Sequence, residues 1–175
     1  MKSKLKGYFK FKVGRAMDIE EVFQVVRLHD EKVINYIGTK VSVNAVNFEK
    51  QSLLQEAIAF KNRLVINKLL SLDININHQD KTGRSALHSA ITHDDFMSVQ
   101  LLIGKGIDVN LLDQHGNGAL WTAILKPRVN YELVELLVNK GANIHHKNKY
   151  NRSPMSIAET KNNEKLLNIL KTSTS

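Results

Sequence analysis

One eight-residue phrase comes round four times in this chain: KQSLLQEA from Lys50, GRSALHSA from Gly83, GNGALWTA from Gly116 and NRSPMSIA from Asn151. The copies begin 33, 33 and 35 residues apart. A fixed period of that length marks one supersecondary unit stacked several times, in which no unit buries its apolar face alone. Architecture is therefore constrained before any single residue is considered.

Every copy ends on an alanine, at Ala57, Ala90, Ala123 and Ala158, and leads into a second apolar run. In the second copy that run is Val99, Leu102 and Ile103; the same register gives Ile66, Leu69 and Leu70 before it and Val134, Leu137 and Val138 after it. The last copy supplies Leu167 and Leu170. Steps of three and four place these side chains on one helical face, and the alanines let a neighbouring helix approach closely. Each unit is predicted to be two short helices packed together.

The units close on LDININHQD, KGIDVNLLD and KGANIHHKN, with Gly106 and Gly141 where a helix takes a left-handed C-cap. Over roughly residues 45 to 175 the chain resembles the ankyrin repeat, best at Gly83 to Ala90 and Gly106 to Asn110. The Thr-Pro of that family's pattern is replaced by Ser52-Leu53, Ser85-Ala86 and Gly118-Ala119, with Ser153-Pro154 the nearest approach. His88 keeps the family histidine, and Trp121 takes its place one unit on. There the indole is expected to be mostly buried between units, with its N–H on a backbone acceptor. The resemblance implies an all-α solenoid of stacked helix-turn-helix units joined by short hairpin-like loops.

Residues 16–44 lack the phrase but keep its spacing, since Val43-Asn44 lies 33 residues before Ile76-Asn77. They read as a divergent first unit, capped at Asp18 with Glu20 and Glu21 in the first turn. Terminal units depart from consensus because one face meets water. The expected organisation is a basic arm over residues 1–15, then one domain over 16–175 with units at about 16–44, 45–77, 78–110, 111–145 and 146–175. Lys126-Pro127-Arg128 lengthens the turn inside the fourth unit, because Pro127 cannot continue a helix.

At 175 residues and 42% hydrophobic content the chain can bury one continuous core. It has no cysteine, which excludes disulfides and thiolate metal sites and suits a reducing compartment. The start, MKSKLKGYFKFKVG, lacks the apolar stretch of a signal peptide, and nothing approaches the roughly 18 apolar residues of a membrane span. A cytoplasmic protein is expected. The net charge of +8 sits at the ends: residues 1–15 carry six bases and no acid, residues 140–175 seven bases and two acids, and the middle twelve bases against fifteen acids. Such a layout favours a protein partner with acidic patches, or nucleic acid, or an anionic membrane surface, and it also serves solubility alone.

Seven histidines raise the question of a metal, yet His145 and His146 are adjacent and diverge, and His78, His93 and His115 lie on other units. No carboxylate or thiolate spacing completes a site, so no metal and no cofactor is expected. Catalysis finds no footing either. Phosphate-loop glycine patterns are absent, Ser85, Ser89 and Ser153 fall at cap or turn positions of the phrase, and Asp94-Asp95 sits where a helix start prefers acids. The basic arm interleaves Lys2, Lys4, Lys6, Lys10 and Lys12 with Leu5, Tyr8, Phe9, Phe11 and Val13; it reads as an extended strip laying its aromatics over the first helices with its lysines in water, with contact to a partner, or to nucleic acid or lipid, as the alternatives.

What the ankyrin resemblance implies for function is a binding surface on the solenoid's concave side, met by the loop tips and the exposed side of each first helix. Carried over by position, the tips are Phe48, Glu49 and Gln51; Lys81, Thr82 and Arg84; Gln114, His115 and Asn117; Lys149, Tyr150 and Arg152. Phe60, Thr92, His93, Lys126 and Lys161 come from the first-helix ends. Phe48 and Phe60 stand out as exposed aromatics of the kind that anchor interfaces. With no further part attached, binding itself is the expected output: a non-enzymatic module holding one protein, similar in size and architecture to the ankyrin-type immunity proteins that plug a bacterial toxin, here one with an acidic surface. The alternatives are a basic nucleic-acid or anionic-surface binder, or an ankyrin effector or adaptor.

Overall fold

A computed structural model describes residues 17–172, so the basic arm lies outside the described residues. Nine α-helices occupy this span: α1 (Ile19–Arg27), α2 (Leu53–Ala59), α3 (Arg63–Leu70), α4 (Ala86–Thr92), α5 (Phe96–Gly104), α6 (Ala119–Ile124), α7 (Tyr131–Asn139), α8 (Pro154–Thr160) and α9 (Glu164–Thr172). No strand forms among the described residues; the loops carry only isolated bridges such as Val46 with Ser52 and Gln79 with Ser85. The all-α repeat solenoid expected from the sequence is what the chain forms. First helices α1, α2, α4, α6 and α8 stack in one row, and each later one packs with its own second helix, α3, α5, α7 or α9.

Helix starts are fixed by short polar side chains. Asp18 caps α1 and shares a reciprocal box with Glu21, and Ser52 does the same with Gln55 on α2. Second helices are capped by Asn62, Asp95, Asn130 and Asn163, which accept from Val65, Ser98, Leu133 and Leu166 N–H at 3.0–3.3 Å. The row then buries a register of apolar side chains. Leu69, Leu102, Leu137 and Leu170 are fully buried, as are Ala57, Ala90 and Ala158, with Ala123 at 1%. At the far end Met155 is only half-buried where Leu54, Leu87 and Leu120 are buried. Glu159 is exposed at the place held by Ile124, as the last unit of a stack requires.

Two departures from the sequence reading concern the second helix of the first unit and Trp121. The second helix expected in the first unit is a single 3-10 helix, Glu31–Asn35. Tyr36 occupies the register position of Leu69 and stays half-buried, while its carbonyl turns the chain by accepting from Lys40 and Val41 N–H at 2.9 Å. The longer turn expected at Lys126-Pro127-Arg128 is present: it runs from Leu125 to Asn130, whereas the other helix pairs turn in three residues. Trp121, expected to be mostly buried, is half-buried, and its indole N–H finds no backbone acceptor among the described residues.

Where loops stack, backbone meets backbone. Gly83 has φ +78, and a Cβ there would lie 3.0 Å from Gln114 N and 3.1 Å from Asp113 Cα, so only glycine fits without moving the next tip.

Candidate partner-binding surface

Each loop tip is shaped by one short polar side chain that folds the turn over itself. Asp80 Oδ1 accepts from Thr82 N at 2.8 Å and Arg84 N at 3.1 Å; Asp113 Oδ1 accepts from His115 N and Asn117 N at 2.8 and 2.9 Å. Asn47 and Asn148 do the same for Glu49 and Gln51 and for Tyr150 and Arg152. These four residues recur at the repeat period, a signal that was present in the sequence without being used. Tips are then tied to one another by Lys81 N–H to Glu49 O (3.1 Å), Gln114 N–H to Thr82 O (2.7 Å) and Lys149 N–H to His115 O (2.9 Å).

A second tie comes from the third residue of α2 and of α4. Gln55 accepts from Ser52 N–H at 3.0 Å and donates across to Arg84 O at 2.8 Å. His88 accepts from Ser85 N–H through Nδ1 at 3.2 Å, which leaves Nε2–H to donate to Asn117 O at 3.2 Å. Burial pushes this imidazole below its ordinary range; the Asn117 carbonyl acts against the shift, and the neighbouring Arg84 charge adds to it. Gln55 and His88 thus do the same work 33 residues apart. Trp121, next in register, instead borders a cavity of about 230 Å³ with Leu112, Leu120, His146 and Pro154.

Between the tips and the first helices lies a groove of about 540 Å³. Its walls are two successive copies of one set of repeat positions: Glu49 and Thr82, Gln51 and Arg84, Glu56 and Ser89, Ala59 and Thr92, Phe60 and His93. Gln55 and Asp80 lie at its base, and Arg27 occupies the Phe60 position one unit earlier. Arg27 is ion-paired to Glu56, its guanidinium 5.9 Å from the Phe60 ring centroid, and His29 Nε2 lies 2.8 Å from Phe60 O.

A family model described as ankyrin repeats, three copies, matches residues 24–113, 54–148 and 98–174. The chain belongs to the ankyrin repeat family. No curated protein matches it. Ankyrin repeats are protein–protein interaction modules, and the groove lies where stacked units leave an extended surface.

Of the residues the ankyrin register nominates, Glu49, Gln51, Phe60, Thr82, Arg84, Thr92 and His93 are brought together in this groove. Phe48 stands beside it at 70% exposure, with Lys81 Nζ 5.6 Å from its ring and 3.8 Å from Glu49. The remaining nominees sit further along the stack. His115 and Tyr150 stack with ring centroids 6.5 Å apart, and Gln114 Nε2 lies 3.2 Å from His115 Nε2. Lys149 and Arg152 are exposed on the next tip. Asn117 joins two tips, accepting from Asn148 Nδ2 at 2.8 Å. Lys126 donates to Thr92 O and meets Asp94, both at 3.0 Å, and Lys161 donates to Ile124 O at 3.1 Å. Both ammonium groups tie one unit to another.

Arg27, Gln55, Glu56, Ala59, Asp80 and Ser89 line the groove without having been nominated. Arg27 could have been found by subtracting 33 from Phe60, and Ala59 by subtracting 33 from Thr92. Among the described residues no group of three or more His, Asp or Glu side chains is placed to hold a metal ion, and no helix is long and apolar enough to cross a membrane.

Proposed function

We propose that this ankyrin chain is a non-enzymatic module that holds one protein partner in the groove between its tips and first helices. The observation that carries the reading is the groove's construction: two consecutive copies of the same positions line about 540 Å³, with Phe60 44% exposed in its wall. An exposed aromatic inside a concave, polar-rimmed surface is the usual composition of an interface anchor. The proposed partner carries acidic patches that face the basic ends of the chain, where the charge of +8 resides, rather than the groove itself. In the narrower form, the partner is a toxin whose working surface is covered, and the chain is its cytoplasmic immunity protein; the ankyrin architecture is what supports that form. Adaptor and effector roles use the same surface.

Affinity purification at physiological salt, with a Phe60, Arg84, Tyr150 and Arg152 quadruple alanine variant beside the wild type, tests this. One stoichiometric protein retained by the wild type and lost from the variant is the expected result, and that protein's activity with and without the chain separates inhibition from recruitment. Equal recovery by both chains overturns the groove as the seat.

A second reading rests on the stacked His115–Tyr150 pair beside exposed Lys147, Lys149 and Arg152, a basic aromatic tip suited to nucleic acid or an anionic surface. It predicts affinity for DNA or RNA that falls steeply with salt and with removal of residues 1–15. Absence of binding at low salt ends it.

A further inference from the structure

The groove contains five ionised side chains, and four of them are already spent. Arg27 and Glu56 pair with each other. Glu49 pairs with Lys81. Asp80 takes four donors: Thr82 N, Thr82 Oγ1 and Arg84 N on one oxygen at 2.8, 2.7 and 3.1 Å, and Gln55 Nε2 on the other at 3.1 Å. The fifth is Arg84. Its guanidinium meets only neutral oxygens, the Thr92 hydroxyl and the His88 carbonyl at 3.5 Å, both through one terminal nitrogen. Arg63, a half-buried arginine outside the groove, shows the contrast: it is paired with Asp95 at 2.5 Å.

Arg84 is half-buried and meets no carboxylate among the described residues. A guanidinium has five N–H donors in a planar fork that fits a carboxylate with two parallel bonds. Partly desolvated and without a counter-charge, it gains more from an incoming anion than an exposed arginine does. Its backbone is held on both sides, by Asp80 Oδ1 on the N–H and by Gln55 Nε2 on the carbonyl at 2.8 Å, and Thr92 steadies the head. The fork is therefore set before a ligand arrives, which lowers the ordering cost of binding.

We infer that Arg84 is the receptor for a single carboxylate, an Asp or Glu side chain of the partner protein, seated in the groove beside an apolar residue that covers Phe60. This rests on the groove being the partner's seat. One carboxylate suits the site better than a nucleic-acid backbone does: Glu49, Glu56 and Asp80 line the same walls and repel a chain of phosphates, while a lone acid on an otherwise neutral segment meets only Arg84.

The test is selection of random peptides displayed on phage against the full-length chain, with Phe60→Ser and Arg84→Glu chains selected in parallel. Peptides retained by the wild type are expected to share one Asp or Glu. Replacing it by its amide weakens binding to the wild type by about tenfold or more and leaves binding to Arg84→Gln unchanged, and Arg84→Glu selects Lys or Arg at that place. Because the amide swap is made in the peptide, its loss of affinity for the wild-type chain is decisive even if an Arg84 variant folds poorly. Peptides that require Phe60 but are indifferent to the acid overturn the carboxylate receptor and leave the groove reading standing. Peptides indifferent to Phe60 as well, or no retained peptide, overturn both. Displacement of the peptides by an oligonucleotide whose binding requires Arg84 overturns the choice of a carboxylate in favour of phosphate.

Discussion

The seam between α4 and α6 and the seam between α6 and α8 are built from the same repeat positions and closed in different ways. At the first, His88 is 1% exposed and bridges Ser85 to Asn117, and Leu87 beside it is 1% exposed. At the second, Trp121 replaces the histidine, makes no such bridge, and leaves a cavity of about 230 Å³ against Leu120. A repeat can thus exchange a directional polar tie for aromatic bulk without losing its register. What it gives up is closure, because a large ring fills space in fewer ways than a small one bonded at both nitrogens.

Truncation of the equivalent leucines is the strongest way to break this comparison. Leu87→Ala is expected to cost about 3–5 kcal/mol, since the side chain is 1% exposed and its removal leaves a void in the core. Leu120→Ala already borders empty space and is expected to cost about 2–3 kcal/mol, at the low end of such changes. Urea melts of the two variants beside the wild type measure the difference. Equal losses would show that the two seams are packed alike. Either loss is a large part of a domain stability of about 5–15 kcal/mol.

Second-helix caps give the next contrast. Asp95 is 3% exposed, caps Ser98 N–H at 3.2 Å and is paired with Arg63 from the unit before. Burial alone would raise its carboxyl, but the hydrogen bonds from Arg63 and Ser98 outweigh that and hold it below the ordinary range. Asn130 at the same place caps Leu133 N–H at 3.1 Å without an ion pair. Asp95→Ala is therefore expected to lose about 2 kcal/mol, and Asn130→Ala about 1 kcal/mol. A thermal melt that ranks them the other way would remove the inter-unit pair from the account of stability.

Acidity sharpens the same comparison, because the α4–α6 seam is bridged by the titratable His88 where the α6–α8 seam has Trp121. The folded state favours neutral His88, since burial depresses its proton affinity; Arg84 nearby reinforces this, and Asp113 and Asp80 oppose it. Below the unfolded value of 6.5 the unfolded chain binds the proton more readily, so this contribution is complete above that pH and is lost as pH falls beneath it. His88→Gln, which copies Gln55, should keep stability at pH 7.5 within about 1 kcal/mol and flatten the fall between pH 7.5 and 5. A wild type whose urea midpoint falls no further than that of the variant over this range would show that His88 does not carry the dependence.

Much of this was legible in the sequence because a repeat converts spacing into contact. The period, the Asp18 cap, the Ile66/Val99/Val134 face and the left-handed glycines after α5 and α7 all follow from local rules, and φ values of +80 and +83 at Gly106 and Gly141 are what those rules require. Half of the groove was legible too, through tip residues such as Arg84 and helix-end residues such as Phe60. Arg27 and Glu56 escaped because the first unit lacks the phrase that sets the register, and because a buried Glu on a first helix is intelligible only once its arginine is seen across the seam. Lys126 and Lys161 were nominated by position alone, whereas the place of an ammonium depends on how far one unit rotates on the next. Trp121 was expected to find an acceptor for its N–H; local sequence gives no account of the space that opened beside it.

The smallest effect concerns the two exposed ring tips at opposite ends of the stack. Phe48 and Tyr150 are 70% and 68% exposed, each with one partner, Lys81 over the first ring and His115 beside the second. Such contacts are worth about 0.5–1 kcal/mol at exposed sites, so Phe48→Ala and Tyr150→Ala should each shift stability by no more than about 1 kcal/mol. Phe48 also tests the basic arm: if residues 1–15 lay their aromatics over it, Phe48→Ala and deletion of the arm would each destabilise, and the double change would cost less than their sum. Additive effects from paired melts place Phe48 free for a partner; coupling above about 0.5 kcal/mol places it under the arm and removes it from the binding surface.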